Sequence, residues 1–314
     1  MVLYARQIAG IVAALAAMTL VAFGAVAQGP ARPPAEKLNV VASFSILGDF
    51  VREVGGERIA LTTLVGPGGD AHVYAPSPAD GRRLAEAKIV FVNGLGYEGW
   101  MPRLVKASGA RVRLVEASAG VEALAESEAG HRHGHRHAKG RDPHAWQSVA
   151  NAKVYVVNIR DALAAADPEG RAVYEANAKA YLAKLDALEA EVRDAVAGIP
   201  PERRRIITSH DAFRYFAVAY GVDFVAPQGV STESEASAAD VARIIRQMRR
   251  DRIEAVFLET ITDPRLAEQI AREAKGRVGG RLYSDALSPP DGPAGTYIEM
   301  MRHNIRALSA ALSS

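Results

Sequence analysis

The sequence predicts an α/β protein with two lobes, each a small parallel sheet flanked by helices, joined by one long backbone helix. Short apolar runs alternate with helix-length segments in both halves of the chain, which is the pattern of repeated βα units. Several of these runs are apolar on both faces, as the strands of a buried parallel sheet are. A chain of 314 residues is also long enough for two lobes.

The first half of the chain predicts one α/β lobe over residues 28–165. Its predicted strands are Leu38–Ser43, Arg58–Val65, Lys88–Asn93 and Arg111–Glu116. Its predicted crossover helices are Ile46–Val54, Pro78–Ala87 and Glu98–Ala107. Each of these helices is long enough to return the chain to the start of a parallel strand.

The second half predicts a similar lobe over residues 200–314. Its predicted strands are Arg205–Ser209, Val222–Ala226, Ile253–Glu259 and Arg281–Ser284. They alternate with predicted helices at Ala212–Tyr220, Ala238–Arg250, Pro264–Lys275 and Pro293–Leu312. Two lobes of the same construction follow from this repetition.

A single helix, Pro168–Ala197, is predicted within a linker of residues 166–199. Gly198 and Pro200 end it, and apolar side chains recur at helical spacing along its length. These side chains are Val173, Tyr181, Leu185, Leu188, Val192 and Val196. At 1.5 Å per residue the helix would be roughly 45 Å long, enough to span both lobes as a stiff connector.

The N-terminus, residues 1–27, predicts a cleavable secretory signal peptide. Arg6 precedes the apolar run Ile8–Val26, and Ala25-Val26-Ala27 forms a cleavage site before Gln28. The alternative is a membrane anchor, because the run is nearly long enough to span a bilayer. The sequence contains no cysteine, so we expect no disulfides, no lipidated N-terminal cysteine and a periplasmic location.

Four candidate metal ligands lie where the chain leaves a predicted strand or enters a helix. His72 follows the second strand, His210 directly follows Ser209, Asp285 follows Ser284, and His144 opens a helix after Asp142-Pro143. Loops at the carboxyl ends of parallel strands converge on one edge of the sheet, where ligands bind. Three imidazoles and one carboxylate form a suitable tetrahedral set for Zn²⁺, whereas Mn²⁺ prefers more oxygen ligands.

A second group of histidines, His131, His133, His135 and His137, alternates with other residues in one short run. Such a run can collect Zn²⁺ weakly in an extended loop. Arg132 and Arg136 interrupt it and repel an incoming cation. An auxiliary weak metal loop and a plain solvated loop are therefore both open, and deletion of the run is expected to leave the tight site intact.

Two enzyme classes, a dinucleotide-binding enzyme and a zinc-dependent hydrolase, are alternatives to a metal-binding role. The segment Gly94–Gly99 matches the G-x-G-x-x-G dinucleotide pattern, but bulky Trp100 and Pro102 occupy the helix start that follows, which favours a structural turn. A zinc-dependent hydrolase needs an open coordination position, which a fourth protein ligand would close. Glu233, Glu235 and Glu259 are the candidate bases for that alternative. We expect no enzymatic activity.

Five segments resemble the motifs of the zinc and manganese substrate-binding proteins of metal ABC importers (the cluster A-I metal-binding family). They are Gly66–Asp80, Asp142–Trp146, Thr208–Phe216, Leu258–Pro264 and Ser284–Ser288. The resemblance runs from about Val40 to the C-terminus. It implies two α/β lobes joined by a long helix, with the metal ligands at His72, His144, His210 and Asp285.

The resemblance also implies a function and partners. We expect capture of Zn²⁺ in the periplasm and delivery to an ABC permease and its ATPase subunit, with Mn²⁺ as the alternative cargo. Manganese-binding relatives tend to carry Glu where this chain has His210. The chain is expected to act as a monomer, and donation by a metallochaperone stays open. The formal net charge of +2 argues against nucleic acid as a partner.

Overall fold

Two parallel four-stranded sheets with the same strand order organise the protein. A computed structural model describes residues 36–126 and 140–313. The first sheet has the order β2-β1-β3-β4 and the second the order β6-β5-β7-β8. The strands are β1 (Leu38–Phe44), β2 (Ile59–Val65), β3 (Ile89–Val92), β4 (Arg113–Glu116), β5 (Arg205–Ile207), β6 (Asp223–Val225), β7 (Ala255–Glu259) and β8 (Arg277–Leu282). All pairings within both sheets are parallel, which confirms the predicted fold class.

Helices connect the strands and cover the sheets. They are α1 (Ser45–Gly55), α2 (Pro78–Glu86), α3 (Met101–Ser108), α4 (Val149–Ala166), α5 (Arg171–Ala197), α6 (Arg214–Tyr220), α7 (Ala238–Asp251), α8 (Pro264–Ala274) and α9 (Tyr297–Leu312). Most predicted elements are therefore present with ends shifted by a few residues. None of the described helices is both long and apolar enough to cross a membrane.

The long connector helix differs in two details from its prediction. Pro168–Gly170 forms a separate 3-10 turn, and the α-helix α5 begins at Arg171. The turn is held by Asp167, whose carboxylate accepts the Gly170 N–H and pairs with Nε and Nη2 of Arg58 at 2.8 and 2.9 Å. Val173, predicted to be on the buried face, is 41% exposed, and its neighbour Tyr174 is buried instead.

Strand β8 was placed too late in the sequence. The strand occupies Arg277–Leu282, so the prediction Arg281–Ser284 missed its first four residues and wrongly included Tyr283 and Ser284. Two adjacent glycines and two arginines in this segment give it little of the β-branched or aromatic character that predicts a strand. Gly279 is needed there because a β-carbon would lie 2.8 Å from the Phe257 ring of β7. Helix α4, an element the sequence only hinted at after His144, packs against α1 and α5.

The apolar core is continuous through the first lobe, α4, α5 and the face of the second sheet that packs on α9. A separate, smaller cluster joins the other face of the second sheet to α7 and α8. Its buried members are Ile207, Ile244, Ile245, Met248, Ile253, Val256, Ala267, Ile270 and Ala271. The lobe boundaries at residues 28–165, 166–199 and 200–314 stay predictions, as does the signal peptide of residues 1–27, which lies outside the described residues.

Candidate metal centre

The four predicted ligands converge on one point. His72, His144, His210 and Asp285 each present one ligand atom, and these atoms all lie within 4.8 Å of one another. His144, His210 and Asp285 are fully buried, and His72 is 7% exposed. Two of the four come from each lobe, so the centre lies between the sheets.

Strand ends position these side chains. His210 and Asp285 come just after β5 and β8, and His72 lies in the loop that follows β2. His144 directly precedes a 3-10 turn, Ala145–Gln147, that leads into α4. The carboxyl ends of the parallel strands of both lobes therefore face a common space, as expected for ligand sites in open α/β sheets.

Four of the distances among the ligand atoms are close to those of a tetrahedral site. Asp285 Oδ2 lies 3.1 Å from His72 Nε2 and 3.3 Å from His210 Nε2. His144 Nε2 lies 3.6 Å from the same oxygen and 3.3 Å from His72 Nε2. Four ligands at roughly 2.0–2.1 Å from a tetrahedral Zn²⁺ are separated by about 3.3–3.4 Å. The donor set and these spacings thus fit a small divalent cation.

Asp142 orients the ring of His144. Its Oδ1 lies 2.8 Å from His144 Nδ1 and also accepts the backbone N–H of His144 at 3.0 Å. In the neutral ring, Nδ1–H donates to this carboxylate and the lone pair is left on Nε2, the atom that faces the centre. Because Asp142 lies only two residues earlier, this support is local.

Glu259, the last residue of β7, supports His210 from a distant part of the chain. Its Oε1 accepts the backbone N–H groups of Ser209 at 2.7 Å and His210 at 2.8 Å. Its Oε2 lies 2.6 Å from His210 Nδ1, at ion-pair distance. The carboxylate is 1% exposed, so it holds both the backbone and the ring of this ligand from within the core.

His72 is held differently. Asp70 accepts the backbone N–H of His72 at 2.9 Å and the hydroxyl of Thr232, from the other lobe, at 2.6 Å. The His72 ring packs edge-on against Tyr97 at a centroid distance of 4.7 Å. Among the described residues, Asp285 is the one carboxylate at ion-pair distance from this ring. His72 is therefore fixed through its loop more than through its ring.

The charges of the centre reinforce one another. Burial lowers the pKa of His72. Burial would also lower the pKa of His144, but the negative charges of Asp285 and Asp142 outweigh it and raise that pKa to about 9. Burial opposes ionisation of Asp285, yet the neighbouring His144 and His210 hold its pKa well below the ordinary value. The centre therefore holds negative charge that a bound cation can neutralise in place of protons.

Other candidate residues lie elsewhere or serve other roles. His131, His133, His135 and His137 lie outside the described residues. His303 is on α9 with its Nε2 3.0 Å from the Arg281 carbonyl, as expected for an ordinary helix residue. Glu233 and Glu235 are exposed, whereas Glu259 is the partner of His210 rather than a free base.

The glycine-rich segment Gly94–Gly99 is a structural turn. Gly94 and Gly96 both have φ of 85°. The carboxylate of Glu98 accepts the N–H groups of Asn93 at 2.6 Å and Gly94 at 3.4 Å, so these donors are taken by the protein itself. Trp100 is buried and donates its indole N–H to the Ala71 carbonyl at 2.8 Å.

The supports behind the ligands are what sequence reasoning missed. Asp142 was available as a signal, because a carboxylate two residues before a ligand can fold back onto it. Glu259 carried no such local signal, since it is 49 residues from His210. Fold and site together define a class: a two-lobed binding protein with a buried cluster of candidate cation ligands between its lobes.

Comparison with known proteins places the chain within that class. Residues 40–311 match the family "Zinc-uptake complex component A periplasmic", and the chain belongs to this family of metal ABC transporter substrate-binding proteins. It is 37% identical to the manganese-binding lipoprotein MntA of Halalkalibacterium halodurans, over 88% of this chain and 89% of that protein. It is 28% identical to the manganese ABC transporter substrate-binding lipoprotein PsaA of Streptococcus pneumoniae, over 98% and 99%.

Solved structures of periplasmic metal-binding proteins have the same fold as this chain. The periplasmic zinc-binding protein TroA of Treponema pallidum matches with a TM-score of 0.81 at 30% identity, over 88% of this chain and all of that one. The Mn-bound periplasmic metal-binding protein of Candidatus Liberibacter asiaticus matches with a TM-score of 0.78 at 30% identity and the same coverage. The chain is thus an exported metal-binding component of an ABC importer and not an enzyme, which removes the zinc-dependent hydrolase.

Proposed function

We propose that this protein captures Zn²⁺ in the periplasm through His72, His144, His210 and Asp285 and delivers it to an ABC permease driven by a separate ATPase subunit. The observation that carries the proposal is the buried set of three imidazoles and one carboxylate at tetrahedral spacing. Nitrogen-rich tetrahedral sites suit Zn²⁺. The third imidazole, His210, is the residue on which the preference for zinc depends.

Manganese is the second candidate, and one observation favours it. Asp285 Oδ1 is buried and has no hydrogen-bond partner in the described part of the chain. This oxygen is free to bind a cation together with Oδ2, which would add the further oxygen ligand that Mn²⁺ prefers. Two of the relatives named above are called manganese-binding proteins, so the same centre can be argued for either cargo.

Elemental analysis of the protein purified from periplasm without added metal tests the cargo directly. We expect about one zinc per chain, and calorimetric competition in vitro should show that excess Mn²⁺ does not displace it. Retention of manganese from the periplasm, together with displacement of Zn²⁺ by Mn²⁺, would contradict the zinc assignment. Absence of any tight metal site would contradict the function itself.

The fate of the N-terminus is a separate proposal. The 314 residues contain no cysteine, although several relatives are named lipoproteins. We expect cleavage after Ala27 and release of the mature chain into the periplasm. Intact-mass measurement of the periplasmic fraction should therefore find a chain that begins at Gln28. Recovery of the uncleaved protein with membranes would instead support the anchor.

The histidine run is proposed as an auxiliary weak metal loop. Deleting residues 131–137 should remove only weak additional Zn²⁺ binding and leave one tight site, because none of the four clustered ligands is in the run. Calorimetric titration of the deletion variant measures both classes of site. Loss of the tight site would show that the run belongs to the metal centre.

A further inference from the structure

A cavity of about 780 Å³ opens on the first lobe beside the metal centre, where α2 and α3 meet the loop that carries His72. Its wall is mainly apolar and aromatic, with Tyr74, Pro76, Trp100 and Leu104 among its lining residues. Nothing in the metal centre uses this space, since none of the four ligands lines it. A cavity of this size can take one or two side chains of another molecule.

The cavity has a one-sided charge. Arg82 and Arg103 are its ionisable lining residues apart from Tyr74, and it is lined by no Asp or Glu from the described residues. Both arginines are exposed, and neither forms an ion pair within residues 36–126 and 140–313. An occupant with an apolar side chain beside a carboxylate would complement this surface.

The cavity and the metal loop form one structural unit. Tyr74 lies two residues after His72, and its ring packs edge-on against Trp100 at a centroid distance of 5.0 Å. The indole N–H of Trp100 donates to the carbonyl of Ala71, the residue immediately before His72. A partner seated on Tyr74 and Trp100 would therefore rest directly against the support of this ligand.

The most exposed side of the metal centre is also the side next to this cavity. His72 is 7% exposed, whereas the other three ligands are fully buried. Val73, the next residue, is 52% exposed although it is apolar. The His72 side is therefore the most exposed side of the centre, and a partner that receives metal there would contact the face that includes Val73 and the neighbouring cavity.

We propose that this cavity is a docking site for the membrane permease, which inserts an apolar side chain flanked by a carboxylate between α2 and α3. This inference rests on the proposed function, because it takes the chain to be the binding component of an importer. The permease is the occupant because it must approach the exposed side of His72 to receive metal. The two arginines steer the acidic segment and the aromatic wall holds its apolar part.

Two variants test the surface without touching the metal centre. Arg82→Glu combined with Arg103→Glu reverses the charge, and Ala85→Trp fills the cavity from an exposed lining position. The matched control is Arg272→Glu combined with Arg306→Glu, which makes the same change of charge at exposed positions of α8 and α9. The probe is the permease and ATPase complex of the same importer in lipid nanodiscs.

Both test variants should bind the nanodisc complex at least tenfold more weakly and lose metal uptake in reconstituted vesicles, while their calorimetric Zn²⁺ affinity stays that of the wild type. The control should bind and transport normally. Wild-type binding by both test variants, or an equal loss in the control, would overturn the proposal. So would an anionic small molecule that co-purifies in the cavity and is lost in Ala85→Trp with transport intact.

Failure of the proposed function would look different. In that case the wild-type protein itself would lack a tight metal site, whatever the cavity variants do. If metal binding is normal and only docking changes or fails to change, the result bears on the cavity proposal and leaves the proposed function intact.

Discussion

Each lobe buries one glutamate that accepts backbone N–H groups after a central strand, yet the two glutamates serve different ends. Glu98 accepts the N–H groups of Asn93 and Gly94 after β3, together with the hydroxyl of Ser43 at 2.6 Å. Glu259, at the end of β7, accepts those of Ser209 and His210. The donors follow β3 in the first lobe and β5 in the second, and each of these strands is central in its sheet.

The difference lies in what the second carboxylate oxygen meets. Glu259 Oε2 faces the His210 ring at 2.6 Å, so this glutamate finds a cationic or polar partner in the core. No ligand ring lies against Glu98, and burial raises its pKa to about 7. The same device therefore supports a metal ligand in one lobe and only a turn in the other.

Replacing the ligand should have the largest effect. His210→Ala removes one of four ligands and leaves Glu259 buried without its partner. Loss of a ligand should cost more than the about 10–100-fold in affinity that loss of an outer-shell partner costs, so we expect Zn²⁺ affinity to fall by at least about 100-fold. Calorimetric competition with a chelator measures the affinity, and circular dichroism checks folding. His303→Ala, the control, should bind normally, and tight binding by His210→Ala would remove this residue from the centre.

Glu98→Gln should change stability with pH and leave metal binding alone. The folded-state pKa of about 7 lies above the ordinary value of 4.5, so the protonated carboxyl stabilises the fold below pH 4.5 and this contribution is lost as the pH rises through 7. The size is about 3 kcal/mol.

Urea unfolding of the metal-free protein at several pH values measures this effect. The free energy of unfolding of the wild type should fall relative to that of Glu98→Gln between pH 4.5 and 7. The difference between the two proteins cancels the titration of the histidine ligands, which both share. A constant difference across that range would contradict the raised pKa, and a weakened metal site would contradict the contrast with Glu259.

Glu259→Gln should weaken the metal site without abolishing it. Removing a carboxylate partner of a metal-bound histidine typically costs about 10–100-fold in affinity. The amide keeps an oxygen for the backbone donors, so the fold should hold. Asp142→Asn is the matched variant for His144 and should behave similarly. Unchanged Zn²⁺ affinity in Glu259→Gln, measured by the same chelator competition, would show that His210 is oriented by packing alone.

The smallest effect is expected at the link between lobes. Thr232→Val removes the hydroxyl that donates to Asp70 across the cleft. A typical hydrogen bond contributes about 0.5–1.5 kcal/mol and this one is only partly buried, so metal release should quicken by about 10-fold at most. Stopped-flow release into excess chelator measures the rate. Thr232→Ser keeps the hydroxyl and should release metal at the wild-type rate. Equal release rates for Thr232→Val and Thr232→Ser would show that the hydrogen bond to Asp70 does not affect metal release.

The sequence predicted the fold and the four residues that cluster in the candidate centre, because both have local signals. Buried strands are apolar runs, α5 is an amphipathic stretch ending at Gly198, and His72, His144, His210 and Asp285 follow strands or open a helix in recognisable motifs. The predictions were wrong where contacts with residues distant in sequence, and not the local sequence pattern, decide the structure. β8 forms despite its two glycines, one of which, Gly279, leaves room for the Phe257 ring, and Val173 is exposed because Tyr174 takes the buried position at the start of α5.

The sequence by itself therefore determined the two-lobed α/β class, and it predicted the export signal and the four candidate ligands, since each of these has a signal in residues close together along the chain. Only the tertiary structure decided that Glu259 holds His210, that Thr232 reaches Asp70 and that a cationic cavity opens beside His72. Those depend on contacts between segments far apart in sequence, whose distances are set by how the two sheets pack against α5 and not by any local pattern.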